Sequence, residues 1–431
     1  MSPRGARTRR ANGKKYATWL AAGVVVLGGT AVTAVAASAG GEGAGPGDGT
    51  RAAKAHALAL DGKDPKRRAL PRTGTPTFSL VGVSWEDSGD TFEGTAQIRT
   101  REAATGEWSE WHDLDFAIRA PESTEGEEPD VRGASEPLWV GPSDGVEARV
   151  VADGEETAIP EALRLDMIDP GETVKGRGKG DGGIKGSGKG DAEPPTSGAP
   201  TDPAPGAVPA QEPTGPAAAT IPTAPTAPTA PAVVSRAGWG ADESLVQDPP
   251  SYLNKVDAVF VHHTAGTNDY TCADSPAVIR AILTYHVRTN GWNDVGYNFF
   301  VDKCGTVFEG RAGGVERPVL GAHTYGFNSY SSGISLLGDY ENGGTPTAAA
   351  QQAIADLAAW KLGLHGVDPE AEVALTAAAD TGVWKKGQVA TLNTISGHRD
   401  GYATLCPGAS LYSALPGIRT TAGASPYATG N

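Results

Sequence analysis

Cysteine is scarce in this chain, basic residues are scarce beyond its first positions, and apolar residues are too few for one compact body. Three of the 431 residues are cysteine, so one intramolecular disulfide can form and one thiol is left over. Acids are absent before residue 40, where Arg4, Arg7, Arg9, Arg10, Lys14 and Lys15 stand alone, yet over the whole chain acids outnumber bases 51 to 36. The formal charge of −15 becomes more negative once that basic start is set aside. Such a chain has no electrostatic footprint for nucleic acid, and that class is excluded. Hydrophobic residues make up 39% of the chain, and its 59 Gly and 32 Pro are unevenly spread. Two folded regions separated by unstructured sequence fit these numbers better than one compact protein.

The basic start leads into an apolar stretch from Ala17 to Ala37, ending in the small-residue site Ala37-Ser38-Ala39. This is the layout of a secretory signal peptide over residues 1–39. The stretch is long for that purpose, so an uncleaved single-span anchor is the alternative. Either way the remainder is expected outside the cytoplasm, secreted or associated with the cell wall. In an exported chain Cys272 and Cys304, 32 residues apart in one segment, are the natural pair. Their bridge would stabilise by roughly 3–4 kcal/mol on the loop-entropy account. Cys406, beside Pro407, is then the thiol that needs a role.

Residues 40–71 read as a flexible lead-in. From 72 to 168 the apolar residues have period two, as in Val81, Val83 and Trp85 or Val146, Ala148 and Val150, with turn clusters between. That pattern predicts a small antiparallel β domain, a sandwich. It carries 22 acids against 7 bases and no catalytic constellation, and reads as a spacer or wall-proximal module. Residues 169–232 are a linker, first Gly-Lys-Asp-rich, then Pro-Ala-Thr-rich and stiff, expected to hold the folded parts apart with few contacts. From 233 to 422 the pattern is mixed α/β: a strand run Ala258–Val261, a helix opened by Ser275-Pro276, strands at 298–301 and 334–337, an Ala-rich helix from Thr347 to Leu362 and a short one from Leu411 to Ile418. A mixed central sheet flanked by helices follows. Residues 423–431 are a tail.

Three residues in this last region offer zinc-type donors. His262 ends the apolar strand run, His398 follows Thr394-Ile395-Ser396 at another strand end, and Cys406 lies eight residues further on. Two imidazoles and a thiolate leave a fourth position open, the arrangement of a catalytic rather than a structural zinc site. The ligands are scattered, unlike H-E-x-x-H, so spacing alone does not establish the site.

Several stretches carry a resemblance. They are Val261-His262-His263-Thr264-Ala265-Gly266, Tyr285-His286, Gly291-Trp292-Asn293-Asp294-Val295-Gly296-Tyr297-Asn298-Phe299, Glu309-Gly310-Arg311, Gly321-Ala322-His323, Gly397-His398-Arg399-Asp400 and Cys406-Pro407-Gly408. In this order they resemble the peptidoglycan recognition protein and type 2 N-acetylmuramoyl-L-alanine amidase family across residues 233–422. The resemblance implies a zinc amidase that cuts the amide between N-acetylmuramic acid and L-alanine in peptidoglycan. It implies His262, His398 and Cys406 as ligands of Zn2+, with His263 pointing to the opposite face of its strand. Tyr297 and Thr404 match residues that face the metal, and their hydroxyls would stabilise the oxyanion of a carbonyl attacked by metal-activated water. Thr404 is the recognition-protein variant, where phage-type amidases carry Lys. His286, Arg311 and His323 fall in motifs near the groove, with a structural role equally open to each. No carboxylate base stands at a matched position. The expected partners are peptidoglycan and its muropeptides, with no stable membrane partner beyond the N-terminal signal, and the protein is expected to be a monomer. Two alternatives remain: a non-catalytic peptidoglycan-binding module, and a Cys–His peptidase, disfavoured because Cys406 shows no clear helix start.

Overall fold

Alternating side chains divide each long strand of the first region between two packed faces. A computed structural model describes residues 51–60, 69–90, 94–116, 118–157, 163–172, 230–246 and 248–428. The leader at 1–39, most of the linker and the last residues of the tail lie outside these described residues. Strands β1 (Lys54–Ala59), β2 (Ala69–Trp85), β3 (Thr95–Glu102), β4 (His112–Asp113), β5 (Gly133–Ala134), β6 (Leu138–Ala152), β7 (Glu155–Thr157) and β8 (Arg164–Asp169) form one antiparallel sheet. Its order is β1-β8-β2-β6-β3-β4, with β5 added to β2 and β7 to β6. Val81, Val83 and Trp85 point into the domain's own core with Ile98, Val146 and Leu165, whereas Leu80, Trp139 and Ile168 point out of it into a second core.

The sequence-based expectations need one correction here. The stretch 40–71 contains β1, which pairs with β8 over six residues, and the start of β2. β1 is an edge strand that exposes its alanines, so it buries little. The eight described strands of the small all-β domain are joined in one hydrogen-bonded sheet, the long β2 and β6 staying paired through register shifts.

The second region is built on a six-stranded mixed sheet from β9 (Val233–Val234), β10 (Ala258–His263), β11 (Phe299–Val301), β12 (Val307–Glu309), β13 (Ser331–Leu336) and β16 (Ile395–Gly397), in the order β16-β10-β13-β11-β12-β9. β10 runs parallel to both β13 and β16. A separate hairpin pairs β14 (Glu372–Thr376) with β15 (Val389–Asn393). Val259, Val261, Phe299, Val301, Ile334 and Leu336 face helices α3 (Ala348–Gly363) and α5 (Ala409–Gly423). Phe300 and Phe308 face the other way, onto α2 (Ser275–Arg288), which Pro276 opens in its first turn. The short helices α1 (Arg236–Trp239) and α4 (His398–Gly401) complete the region. Helix α5 runs from 409 to 423, beyond the expected 411–418 at both ends, and passes through Pro416.

Helix α2 joins the two regions, which corrects the expectation of few contacts. Val278, Ile279, Ile282 and Tyr285 share one buried cluster with Leu80, Trp139 and Ile168 of the β domain. The Tyr285 hydroxyl lies 3.2 Å from the carbonyls of both Val83 and Ser135. A Cβ on Gly82 would come within 2.2 Å of that hydroxyl, so the absence of a side chain at 82 makes room for the Tyr285 ring against the β2 backbone. A linker's length limits neither contact nor burial, and here apolar faces on both domains decided the outcome.

Candidate metal centre and its cover

Register in the central sheet brings two of the three expected donors together. Val261 on β10 pairs with Gly397 on β16, so the residues that follow, His262 and His398, emerge side by side with ring centroids 4.5 Å apart. Cys406 returns in the connection between α4 and α5, tied back by the Arg399 N–H to Cys406 carbonyl bond at 3.0 Å. Its Sγ lies 3.7 Å from His262 Nδ1 and accepts the His263 N–H at 3.4 Å. One donor atom from each of His262, His398 and Cys406 falls within 4.8 Å of the others, and all three residues are buried. His263 turns away, its Nδ1 accepting the Tyr340 N–H at 3.2 Å.

Burial sets the protonation of the cluster. It holds His262 well below the ordinary histidine range, with His398 and His323 adding repulsion, and holds His398 down to about 3. Both imidazoles are therefore neutral at pH 7, as metal ligands must be. Burial pushes the Cys406 thiol well above its usual range, so only a cation at the site would draw off its proton. That direction also argues against a Cys406 nucleophile, although α5 begins only three residues on, closer than the sequence suggested.

Around the donors, His262 Nε2 lies 3.2 Å from His323 Nδ1, so the two imidazoles share one hydrogen bond while the other nitrogen of His262, Nδ1, faces Cys406. The Tyr297 ring stands 5.1 Å from that of His262. His286 Nδ1 accepts the Gly296 N–H at 3.0 Å and so anchors the residue before Tyr297. Thr404 Oγ1 accepts the Cys406 N–H at 3.1 Å. Burial, then Glu136 and Cys406, push the Tyr297 phenol well above its usual range, so it stays a proton donor. The second donor cluster, Cys272, Asp302 and Cys304, offers no thiolates, because Cys272 and Cys304 form the expected disulfide.

Sequence reasoning missed the opposite wall, which belongs to the β domain. Glu136 places both carboxyl oxygens 3.4 Å from the Tyr297 hydroxyl, and burial beside Asp115 pushes its pKa up to about 8. Asp115 accepts from Thr404 Oγ1 at 3.3 Å. Glu122 accepts the Asn328 N–H at 3.1 Å and its side-chain amide at 2.8 Å. Glu125 takes a two-pronged ion pair from Arg311 at 2.7 and 2.8 Å, with both residues buried. Arg311 thus pairs across the domain boundary instead of facing solvent. The one available signal was the crowding of Asp115, Glu122, Glu125, Glu127, Glu128 and Glu136 between two strands of an acidic domain. Between the two walls remains a cavity of about 20 Å³ lined by Glu136, His286, Tyr297, His323 and His398. It has room for about one water.

Residues 252–409 match the family described as N-acetylmuramoyl-L-alanine amidase. Residues 46–171 match the family described as Rv3811 N-terminal galactose-binding domain-like. Peptidoglycan-recognition protein SC1a of Drosophila melanogaster is 32% identical over 189 residues, covering 43% of this chain and 84% of the relative. Peptidoglycan recognition protein 1 of Bos taurus is 34% identical over 185 residues, covering 43% of this chain and 82% of the relative. Among solved structures, wild-type Drosophila PGRP-LB aligns at 26% identity and a TM-score of 0.33, covering 43% of this chain and 92% of that one.

Proposed function

This chain belongs to the peptidoglycan recognition protein and type 2 amidase family, and on that premise we propose that it is a zinc-dependent N-acetylmuramoyl-L-alanine amidase. The observation that carries the reading is the complete His262, His398 and Cys406 donor set with the Tyr297 ring beside it. The donors suit the ion: two neutral imidazoles and one sulfur are a zinc set, and His398 Nδ1 is buried without a hydrogen-bond partner among the described residues. When bound, zinc would supply a Lewis acid for the scissile carbonyl and lower the pKa of water.

The chain's own residues would do the rest. His323 holds the orientation of the His262 ring through the Nδ1 contact at 3.2 Å. Tyr297, kept protonated by burial, donates to the oxyanion that develops on the amide carbonyl, and Thr404 is the second donor. Hydrolysis adds water across the C–N bond, leaving the lactyl carboxylate on the sugar and a free amine on L-alanine. The substrate lies outside the cytoplasm, so the reading also requires export, which the leader at 1–39 would provide.

The test is digestion of defined muropeptides by the full chain, read by mass spectrometry, with zinc, after chelation and after zinc is restored. Release of the intact stem peptide that disappears with chelation supports the amidase. Binding of muropeptide without any cleavage product would assign the chain to non-catalytic recognition.

A further inference from the structure

We infer that the acidic segment between β4 and β6 of the β domain, described at residues 114–116 and 118–136 and including β5, is an autoinhibitory strap that occupies the groove over the candidate metal centre. This rests on the amidase reading for what the groove binds, but not for the occlusion itself. Four carboxylates spaced along the strap each meet a polar group of the other region: Asp115 meets Thr404, Glu122 meets Asn328, Glu125 meets Arg311, and Glu136 meets Tyr297. Glu125 also accepts the Asn293 N–H at 2.9 Å. Ile118, Ala120 and Val131 pack on Trp292 and Ala322, so the strap is seated by apolar as well as charged contacts.

The backbones meet as closely. Gly291 has a φ of 74°, and a Cβ there would lie 2.2 Å from the Asp130 carbonyl oxygen. What remains beside the metal donors is the cavity of about 20 Å³, against the several hundred Å³ a sugar–peptide ligand needs. The same four groups are a hydroxyl pair, an amide and a guanidinium, the donors that an anionic stem peptide and a developing oxyanion would use. The strap therefore presents carboxylates where substrate presents its own, and both cannot be bound together. Because the strap belongs to the same chain, a soluble fragment competes with an intramolecular occupant, whose effective concentration is on the order of millimolar. If the open form is about 1% populated, the apparent affinity for substrate falls about 100-fold.

The experiment compares the zinc-loaded full chain with Glu122→Ala/Glu125→Ala, measuring hydrogen exchange over 114–136, binding of a soluble muropeptide and its hydrolysis. The strap predicts faster exchange in 114–136, at least 10-fold tighter binding and at least a 10-fold rise in kcat/KM. Faster exchange with unchanged or weaker binding and turnover would overturn it, and a fall in turnover would make the segment part of the working site instead. Tighter binding with no hydrolysis in either protein would uphold the strap while removing the amidase reading. Should the double variant fail to melt cooperatively, Glu122→Lys alone, at a carboxylate less buried than Glu125, is expected to raise kcat/KM about 3-fold or more. A folded Glu122→Lys protein with freed strap and unchanged kcat/KM would overturn the proposal equally.

Discussion

The two walls of the candidate metal centre are made by different means. On one side, hydrogen-bonded strand register sets His262 beside His398, and backbone bonds from Arg399 and His263 hold Cys406 against them. On the other, side chains from a separately built domain reach across: Glu125 to Arg311, Glu122 to Asn328, Glu136 to Tyr297. A sheet register moves only if strands unpair, whereas ion pairs and side-chain bonds can part while both domains stay folded. The comparison teaches which wall is suited to chemistry and which to being moved.

The largest effect should come from breaking the sheet-built wall. Cys406→Ser replaces an ionisable thiol with a hydroxyl that stays protonated near neutral pH. It should abolish hydrolysis, by about 10⁴-fold or more, and remove zinc, as read by metal analysis and muropeptide digestion. Far-ultraviolet circular dichroism should stay unchanged, because β10, β13 and β16 do not depend on that side chain. Retained zinc with full activity would remove Cys406 from the ligand set.

Breaking the strap wall should cost stability before chemistry. Arg311→Met leaves Glu125 buried without its partner, which should destabilise the full chain by about 3–5 kcal/mol in urea unfolding. A change under about 1 kcal/mol would mean that the strap pair is solvated and the cover loose. Next in size, Tyr297→Phe keeps the ring and removes the hydroxyl that both walls share. Expected is a drop in kcat of roughly 10²-fold with zinc content unchanged. Unaltered turnover would leave Tyr297 a packing residue.

The smallest effect concerns pH. His286 and His323 are held down to about 3 by burial, with nearby Arg311 disfavouring their charged forms. Their folded values lie below the unfolded value near 6.5, so the unfolded chain binds more protons below that pH. The stability they contribute is present at neutral pH and is lost as pH falls toward 3. In zinc-free protein these two contribute a loss of about 1.4 kcal/mol between pH 7 and pH 6, to which His262, His263 and His398 add and which Glu136, pushed up to about 8, opposes. Their share is read as the difference in the pH dependence of the urea midpoint between the parent and His286→Gln/His323→Gln, and no difference would show that these imidazoles are hydrated rather than enclosed.

Much of the placement of His262, His398 and Cys406 was legible in the sequence. His262 follows an apolar run that had to be a buried strand, His398 follows the short Thr394-Ile395-Ser396 strand, and a strand end is where a polar side chain can leave a sheet. The leftover cysteine arithmetic singled out Cys406, and the Cys272–Cys304 bridge stands as expected. The edge strand β1 was not legible because its alanines are exposed and it buries little. The strap was not legible because Glu122, Glu125 and Glu136 look like any solvated acidic loop until Arg311, Asn328 and Tyr297 are placed against them.

Local chemistry, read along the chain, determined which segments become strands and helices, which thiol stays free and which donors suit a metal, because those follow from side-chain period, compartment and ligand type. Only the tertiary structure decided that the β domain lies on α2 and closes the groove. That outcome depends on Leu80, Trp139 and Ile168 facing outward to meet Tyr285, and on a glycine at 82 that leaves room for the Tyr285 ring against the β2 backbone. Contacts between domains are set by the complementary shape and charge of whole faces, which no stretch of sequence carries by itself.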